Sequence, residues 1–194
     1  MKQQGIFPRL LLVAGSILAV ITILSLLLWQ TNLLSSHQQA ADYVNLIKTS
    51  IPEPQGAALE ERTNNDMPVL SLDGTDYIGI LEMPRHNSAL PICGDWSRYA
   101  RFPGCYLGNV YEGSLQIGGT SRKGQYDFFR EISVGDAVYF TDMTGNYYQY
   151  TVRNIRYAQH ADQQIIKNED AALTLFIKNI YAFEYILVFC DIAN

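Results

Sequence analysis

From Leu10 to Trp29 the chain reads LLLVAGSILAVITILSLLLW, without a single charged residue. At roughly 1.5 Å of rise per residue, about 20 such residues make a helix of about 30 Å, the thickness of a bilayer's hydrocarbon layer. A transmembrane helix over 10–29 is therefore expected. The rival is a cleaved signal peptide, whose apolar region runs only about 7 to 15 residues and ends at a small-residue site. Gln30, Thr31, Asn32 and Leu33 follow Trp29 here and offer no such site, so the helix is read as an uncleaved anchor. Lys2 and Arg9 are the only charges before it. The positive-inside rule puts 1–9 in the cytoplasm and everything after Trp29 outside the cell membrane, a single-pass topology.

The exported part keeps 12 of the 14 basic residues against all 19 acidic ones, a balance of −7, which argues against nucleic acid as a partner. Its cysteines are Cys93, Cys105 and Cys190, in a compartment where disulfides form. Three thiols allow at most one internal bridge, and spacing does not choose the pair. His37, His86 and His160 are scattered, and no zinc-type spacing is present, so neither a metal nor another cofactor is expected.

After the anchor, Ala40, Tyr43, Val44 and Ile47 recur at helical spacing within Ser35 to Thr49 and predict a juxtamembrane helix. Ile51 to Met67 mixes proline, glycine and charge, as linkers do, so 30–68 is read as helix plus linker and 69–194 as the folded domain. Short strands bounded by turn residues fill that domain, the pattern of a sandwich or barrel. They are expected at Tyr77–Met83, Leu115–Gly118, Ala137–Thr141, Tyr147–Ile155, Leu173–Ile177 and Tyr185–Cys190. Gly145 and Asn146 suit a hairpin loop that needs positive φ. The last two strands are apolar on both faces and are read as central. Trp96–Arg101 and Tyr126–Ile132 predict short helices of one or two turns.

The order of these pieces resembles one family. An anchor and linker, then YIGILEMP, LPI, a strand ending in IGGT, FFREISVGDAVYFT, GNYYQYTV, LTLF and YILVF together resemble the sortases, with a class B flavour, over Tyr77 to Ile192. The resemblance implies a mainly β fold, a closed β-barrel of about eight strands with short helices, after one N-terminal transmembrane helix. It also implies a Gram-positive surface and cell-wall anchoring of surface or pilus proteins by cysteine transpeptidation. The family's chemistry uses a sulfur nucleophile, an imidazole that protonates the leaving amine, and a guanidinium that donates to the oxyanion. The positions matching that histidine, cysteine and arginine are Thr120, Lys178 and Tyr185. No register error restores them: no cysteine lies between Cys105 and Cys190, no histidine between His86 and His160, and no arginine follows Arg156.

A sortase-like protein without catalysis is therefore expected. Its groove, with Thr120, Ile177, Lys178 and Tyr185 as candidate residues, would take a sorting-signal peptide, a pilin or an active sortase. One alternative is an active transpeptidase with a non-standard site, although an acylated Lys178 would be a stable amide. The other is a structural assembly module that binds no peptide. LPICG at Leu90–Gly94 imitates a sorting signal but lies inside the domain, where it is read as strand and turn. Cys190 is expected in the core or in a disulfide, and His160 in a surface loop. Arg122 and Lys123 are read as a solvated turn. The tyrosines of YYQYTV, although aromatic faces also stack on sugars, are read as packing.

Overall fold

The computed structural model describes residues 6–52, 66–97, 100–159 and 170–193. The chain forms two compact units, Met1–His37 and Gln38–Asn194. Helix α1 (Ile6–Ser50) supplies the first. Its stretch Leu11–Leu28 is long and apolar enough to cross a membrane, and none of it is buried against protein. The few polar side chains there are satisfied locally. The hydroxyls of Ser16 and Thr22 donate to the carbonyls of Val13 (2.9 Å) and Leu18 (2.8 Å), so no polar group is left unpaired in an apolar setting.

The last turns of α1 belong to the second unit. Ala40, Val44 and Ile47 are buried there, at the helical spacing read from the sequence. Tyr43 lies against Phe102 and Tyr77, at 5.2 and 5.7 Å between ring centres, and its hydroxyl donates to Asp73 at 2.7 Å. Most of the expected linker, 53–65, lies outside the described residues, as do His160 and the segment to 169.

Nine strands follow: β1 (Leu70–Leu72), β2 (Thr75–Met83), β3 (Ser88–Cys93), β4 (Gly104–Leu107), β5 (Leu115–Thr120), β6 (Ala137–Asp142), β7 (Tyr147–Ala158), β8 (Leu173–Asn179) and β9 (Glu184–Ile192). They pair in the order β1-β2-β3-β4-β5-β8-β9-β7-β6, and β2 also pairs with β6. That second pairing closes eight strands, β2 to β9, into a barrel and leaves β1 as a hairpin partner outside the ring. Closure removes the open edges that a sheet of this size would otherwise expose. The thinnest seam is the parallel β3–β4 contact, where Cys93 pairs with Gly104 alone. Loop bonds reinforce it: the Cys93 amide donates to the Pro103 carbonyl and the Trp96 amide to the Cys105 carbonyl, both at 2.8 Å.

Two buried carboxylates fix the turns. Asp142 accepts from the amides of Thr144 (2.8 Å) and Asn146 (2.9 Å) and from the Tyr111 hydroxyl (3.0 Å), which shapes the β6–β7 hairpin. Only Gly145 of the Gly145-Asn146 pair takes positive φ there, at 82°. Asp136 accepts from Arg85 (2.5 Å), His86 (3.0 Å) and the Ser133 amide (2.9 Å), tying the 3-10 turn Pro84–His86 to the start of β6.

Of the short helices expected, that at Trp96–Arg101 falls partly outside the described residues, and that at Tyr126–Ile132 does not form. In the first, the Ala100 amide bonds the Ser97 carbonyl at 2.9 Å, as in a single turn, with residues 98–99 outside the described set. The second is a succession of turns, with the Phe129 amide bonded to the Tyr126 carbonyl (3.1 Å) and the Glu131 amide to that of Phe128 (2.8 Å). Tyr126, Phe129 and Ile132 are all buried. A strict three-residue repeat keeps one face inward through tight i to i+3 turns, whereas an α-helix would rotate that face away.

The Asp136 cluster gives the fold an acid limit. Burial alone would raise this carboxyl's pKa, but the bonds from Arg85, the Ser133 amide and His86 outweigh it and hold the pKa below the ordinary carboxylate value. A depressed folded-state pKa contributes stability above the unfolded value of ~3.9, and that contribution is lost as pH falls through the lower folded value. Urea midpoints of the wild type and of Asp136→Asn are therefore expected to differ at neutral pH and to converge as the solution is acidified below about pH 4.

Candidate functional site

The site is set by the register of β5, β8 and β9. Strand β5 runs parallel to β8, and β8 antiparallel to β9, with every residue from Leu115 to Thr120 matched to one from Leu173 to Lys178. Side chains alternate between faces. Leu115, Leu173 and Cys190 point into the barrel, as do Ile117, Leu175 and Val188. The rungs between them face out: Gln116, Thr174 and Phe189; then Gly118, Phe176 and Leu187; then Thr120, Lys178 and Tyr185.

The three positions singled out in the sequence thus form one rung across three neighbouring strands. The fourth, Ile177, does not share their face. It is fully buried in the barrel core, paired with Gly119 and Ile186. Alternation gives its place on the outer face to Phe176, a residue the sequence reading passed over.

Each member of the rung has a structural tie of its own. Thr120 is buried, and its hydroxyl and amide both donate to Oε1 of Gln125, at 2.9 and 2.7 Å. The Gln125 amide nitrogen in turn donates to the carbonyls of Ala100 and Arg101, both at 2.9 Å. Tyr185 stacks on Phe176, with ring centres 5.0 Å apart and planes 18° from parallel. Lys178 is half-buried, with its backbone carbonyl accepting from the Ser121 amide at 3.0 Å. Among the described residues no ion pair engages its ammonium. The Ser121 hydroxyl oxygen also accepts from the Ile180 amide (3.1 Å), locking the end of β5 to the β8–β9 turn.

The rest of the outer face is covered by the chain's own rings. Phe176, Leu187 and Phe189 form a second apolar cluster, with Trp96, Tyr106, Ala171 and Tyr185 packed against it. Tyr106, Phe176 and Tyr185 stack in succession, and Trp96 stands edge-on to Phe176 at 5.5 Å. The paired glycines of IGGT allow this. A Cβ on Gly118 would lie 2.6 Å from the Trp96 ring outside the barrel, and one on Gly119 would lie 2.4 Å from the Tyr126 ring inside it. Both rings need bare backbone beneath them.

No thiol belongs to the rung. Cys190 pairs with Leu173 at the far end of β8 and β9, about 17 Å along the strand from Tyr185 at ~3.4 Å per residue, and it faces inward. Burial pushes its pKa well up, with Asp191 adding to the effect. Burial likewise raises Cys93 to about 11, and burial with the nearby Asp95 charge raises Cys105. All three are free thiols, held away from the thiolate form that attacks carbonyl carbon.

Backbone comparison supplies the likeness. A Clostridium perfringens sortase D5 transpeptidase superposes with a TM-score of 0.57 at 15% identity, over 82% of this chain and 99% of that one. The fold is that of the sortases. A Corynebacterium diphtheriae sortase A lid mutant gives a TM-score of 0.52 at 17% identity, over 82% and 95% of the two chains. A C. perfringens sortase C with the C-terminal cell wall sorting motif gives 0.51 at 16% identity, over 84% and 89%. No family model and no curated protein matches the sequence, so the likeness resides in the path of the backbone.

If Gly118 exists to seat Trp96, Gly118→Ala should displace that ring into water. In a Trp29→Phe background, which leaves Trp96 as the sole tryptophan, the emission maximum is expected to move to longer wavelength. Gly119→Ala should leave that emission unchanged and destabilise the barrel by ~1–3 kcal/mol in urea unfolding, the usual cost of forcing extra volume into a packed core.

Proposed function

We propose that this protein is a single-pass membrane protein of a Gram-positive cell surface, whose extracytoplasmic sortase-type domain binds an extended sorting-signal peptide without cutting it. In that role it presents a surface or pilus protein to an active sortase. The observation that carries this reading is the Thr120–Lys178–Tyr185 rung. By the sequence motifs its three positions match the family's histidine, cysteine and arginine, and the residues standing there carry other chemistry.

An acyl transfer through a thioester needs a sulfur that attacks, an imidazole that shuttles a proton and a cation that stabilises the oxyanion. The rung offers an ammonium, an alcohol committed to Gln125 and a phenol stacked on Phe176. Lysine acylation would end in an amide, so the cycle would stop after one turn. What the same surface does offer is recognition. The Lys178 ammonium, the Tyr185 hydroxyl and the half-exposed rings of Trp96 and Tyr106 line a strip along which an extended chain can lie. Membrane attachment follows from the apolar span Leu11–Leu28, with the basic residues Lys2 and Arg9 on the cytoplasmic side.

The test mixes the full chain in detergent with fluorescent LPxTG-type and NPxTN-type peptides and triglycine as acceptor amine. Anisotropy is expected to show binding that weakens in Lys178→Glu, while intact-mass spectra show neither a cleaved peptide nor a covalent adduct. Peptide cleavage abolished by Lys178→Ala would replace this reading with an unconventional transpeptidase. An absence of binding to either peptide would leave an assembly module.

A further inference from the structure

Across the ring from the Thr120 rung, the outer face of β3, β2, β6 and β7 carries a different surface. Ala89, Glu82, Tyr139 and Gln149 form one rung over these four strands, and Tyr147 follows diagonally next to Tyr139. The two tyrosine rings lie 5.2 Å apart, with planes tilted by 34° into a shallow V. Tyr147 is 49% exposed, unlike Tyr148 and Tyr150, whose side of β7 is more deeply covered. The tyrosines of this run thus divide between a buried face and a partly exposed one, as strand alternation requires.

Opposite the rings, a cleft of about 360 Å³ is walled by Glu82, Pro84, Asn87 and Ser88. Asn87 is held in the left-handed conformation (φ 47°), with its amide bonded to the Pro84 carbonyl at 3.0 Å, so its side chain is presented from a fixed turn. Glu82 is oriented by Lys48, whose ammonium reaches its Oε1 at 2.7 Å. Burial, then Tyr139, then the Glu82 charge raise the Tyr147 pKa, which keeps its hydroxyl a donor at all physiological pH values.

We propose that this cleft is a saccharide-binding site that takes one neutral pyranose ring against Tyr139 and Tyr147. The faces of aromatic rings are negative, and the C–H face of a pyranose presents weakly positive hydrogens to them. Sugar hydroxyls need donors and acceptors around their rim, which the carboxylate, amide and hydroxyl of Glu82, Asn87 and Ser88 provide. The volume sits at the small end of ligand pockets, ~300–1,000 Å³, and suits a single ring of a longer glycan. The Glu82 carboxylate is paired with Lys48, so the cleft carries little net charge, which suits a neutral ring. An extended peptide is disfavoured across the middle of this face, where β2 and β6 are paired on both sides and offer no edge for strand addition. The proposal does not depend on the peptide-binding reading, which concerns the other side of the barrel.

Saturation-transfer NMR on the full chain tests it with cellotriose, maltotriose and the N-acetylglucosamine trimer, in a zwitterionic detergent, because glycoside detergents would fill the site. Transfer to the ring C–H protons of at least one sugar is expected. Tyr147→Ala should weaken that binding about tenfold, in line with the loss of one aromatic stack. Tyr147→Phe should retain it, and Glu82→Gln should reduce it. Because Tyr147 is half exposed, its replacement is expected to leave the melting temperature within a few degrees of wild type. No transfer to any of the three sugars would overturn the proposal, and so would binding that is undiminished in Tyr147→Ala.

Discussion

The parallel pairing of β5 with β8 is the constraint on which the rest of the molecule depends. Strands that run side by side in the same direction cannot be joined by a hairpin. The chain must therefore leave β5, build the β6–β7 hairpin and return before β8 can be placed. Once it is placed, the register has no freedom. A slip of one residue would turn Leu173, Leu175 and Ile177 to the outside and Thr174, Phe176 and Lys178 into the barrel. Burying a lysine ammonium there without a partner, while exposing three large aliphatic side chains, is far more costly than any local gain could offset.

That register also explains why both faces of β8 look apolar in the sequence. The inner face meets the barrel core in the ordinary way. The outer face is covered not by a helix, as in most parallel sheets, but by Trp96 from the β3–β4 connection and Tyr106 from β4, resting on Phe176. Such a cover works only where backbone can approach ring, which accounts for Gly118. The glycine pair of IGGT separates two aromatic layers, Trp96 on one side and Tyr126 on the other.

Much of this was legible. The six main strands announce themselves as β-branched and aromatic runs between turn residues, and the buried positions of the juxtamembrane segment follow from a helical repeat. The hydrophobic stretch Leu11–Leu28 needs only its length. The parts that were not legible are those whose signal is short or long-range. Strands β1 and β4 contain three and four residues, too few for a periodic pattern to emerge. The turns of Tyr126–Ile132 mimic one stretch of an amphipathic helix, and only the strict three-residue burial betrays them. The Gln125 clasp on Thr120 joins residues five apart across a turn, a geometry without a sequence signature. Ile177, a groove candidate by sequence, lies in the core, where the two-residue period of a strand puts it.

The rung of Thr120, Lys178 and Tyr185 is integrated into the packing to unequal degrees, and this decides which of its positions tolerates substitution. Thr120 sits in a closed network of four hydrogen bonds around Gln125, two from itself and two to the Ala100 and Arg101 carbonyls. An imidazole there would have to displace the glutamine and leave those two carbonyls without their donor, at ~1–3 kcal/mol for each group stranded in the interior. Tyr185 contributes one ring to a stack of three, which its replacement would break. Lys178 alone is tied only through its backbone. Position 178 is thus the easiest of the three to change, whereas 120 and 185 are built into the packing. A sulfur placed at 178 would have a hydroxyl held by Gln125 and a stacked phenol as its neighbours on the rung.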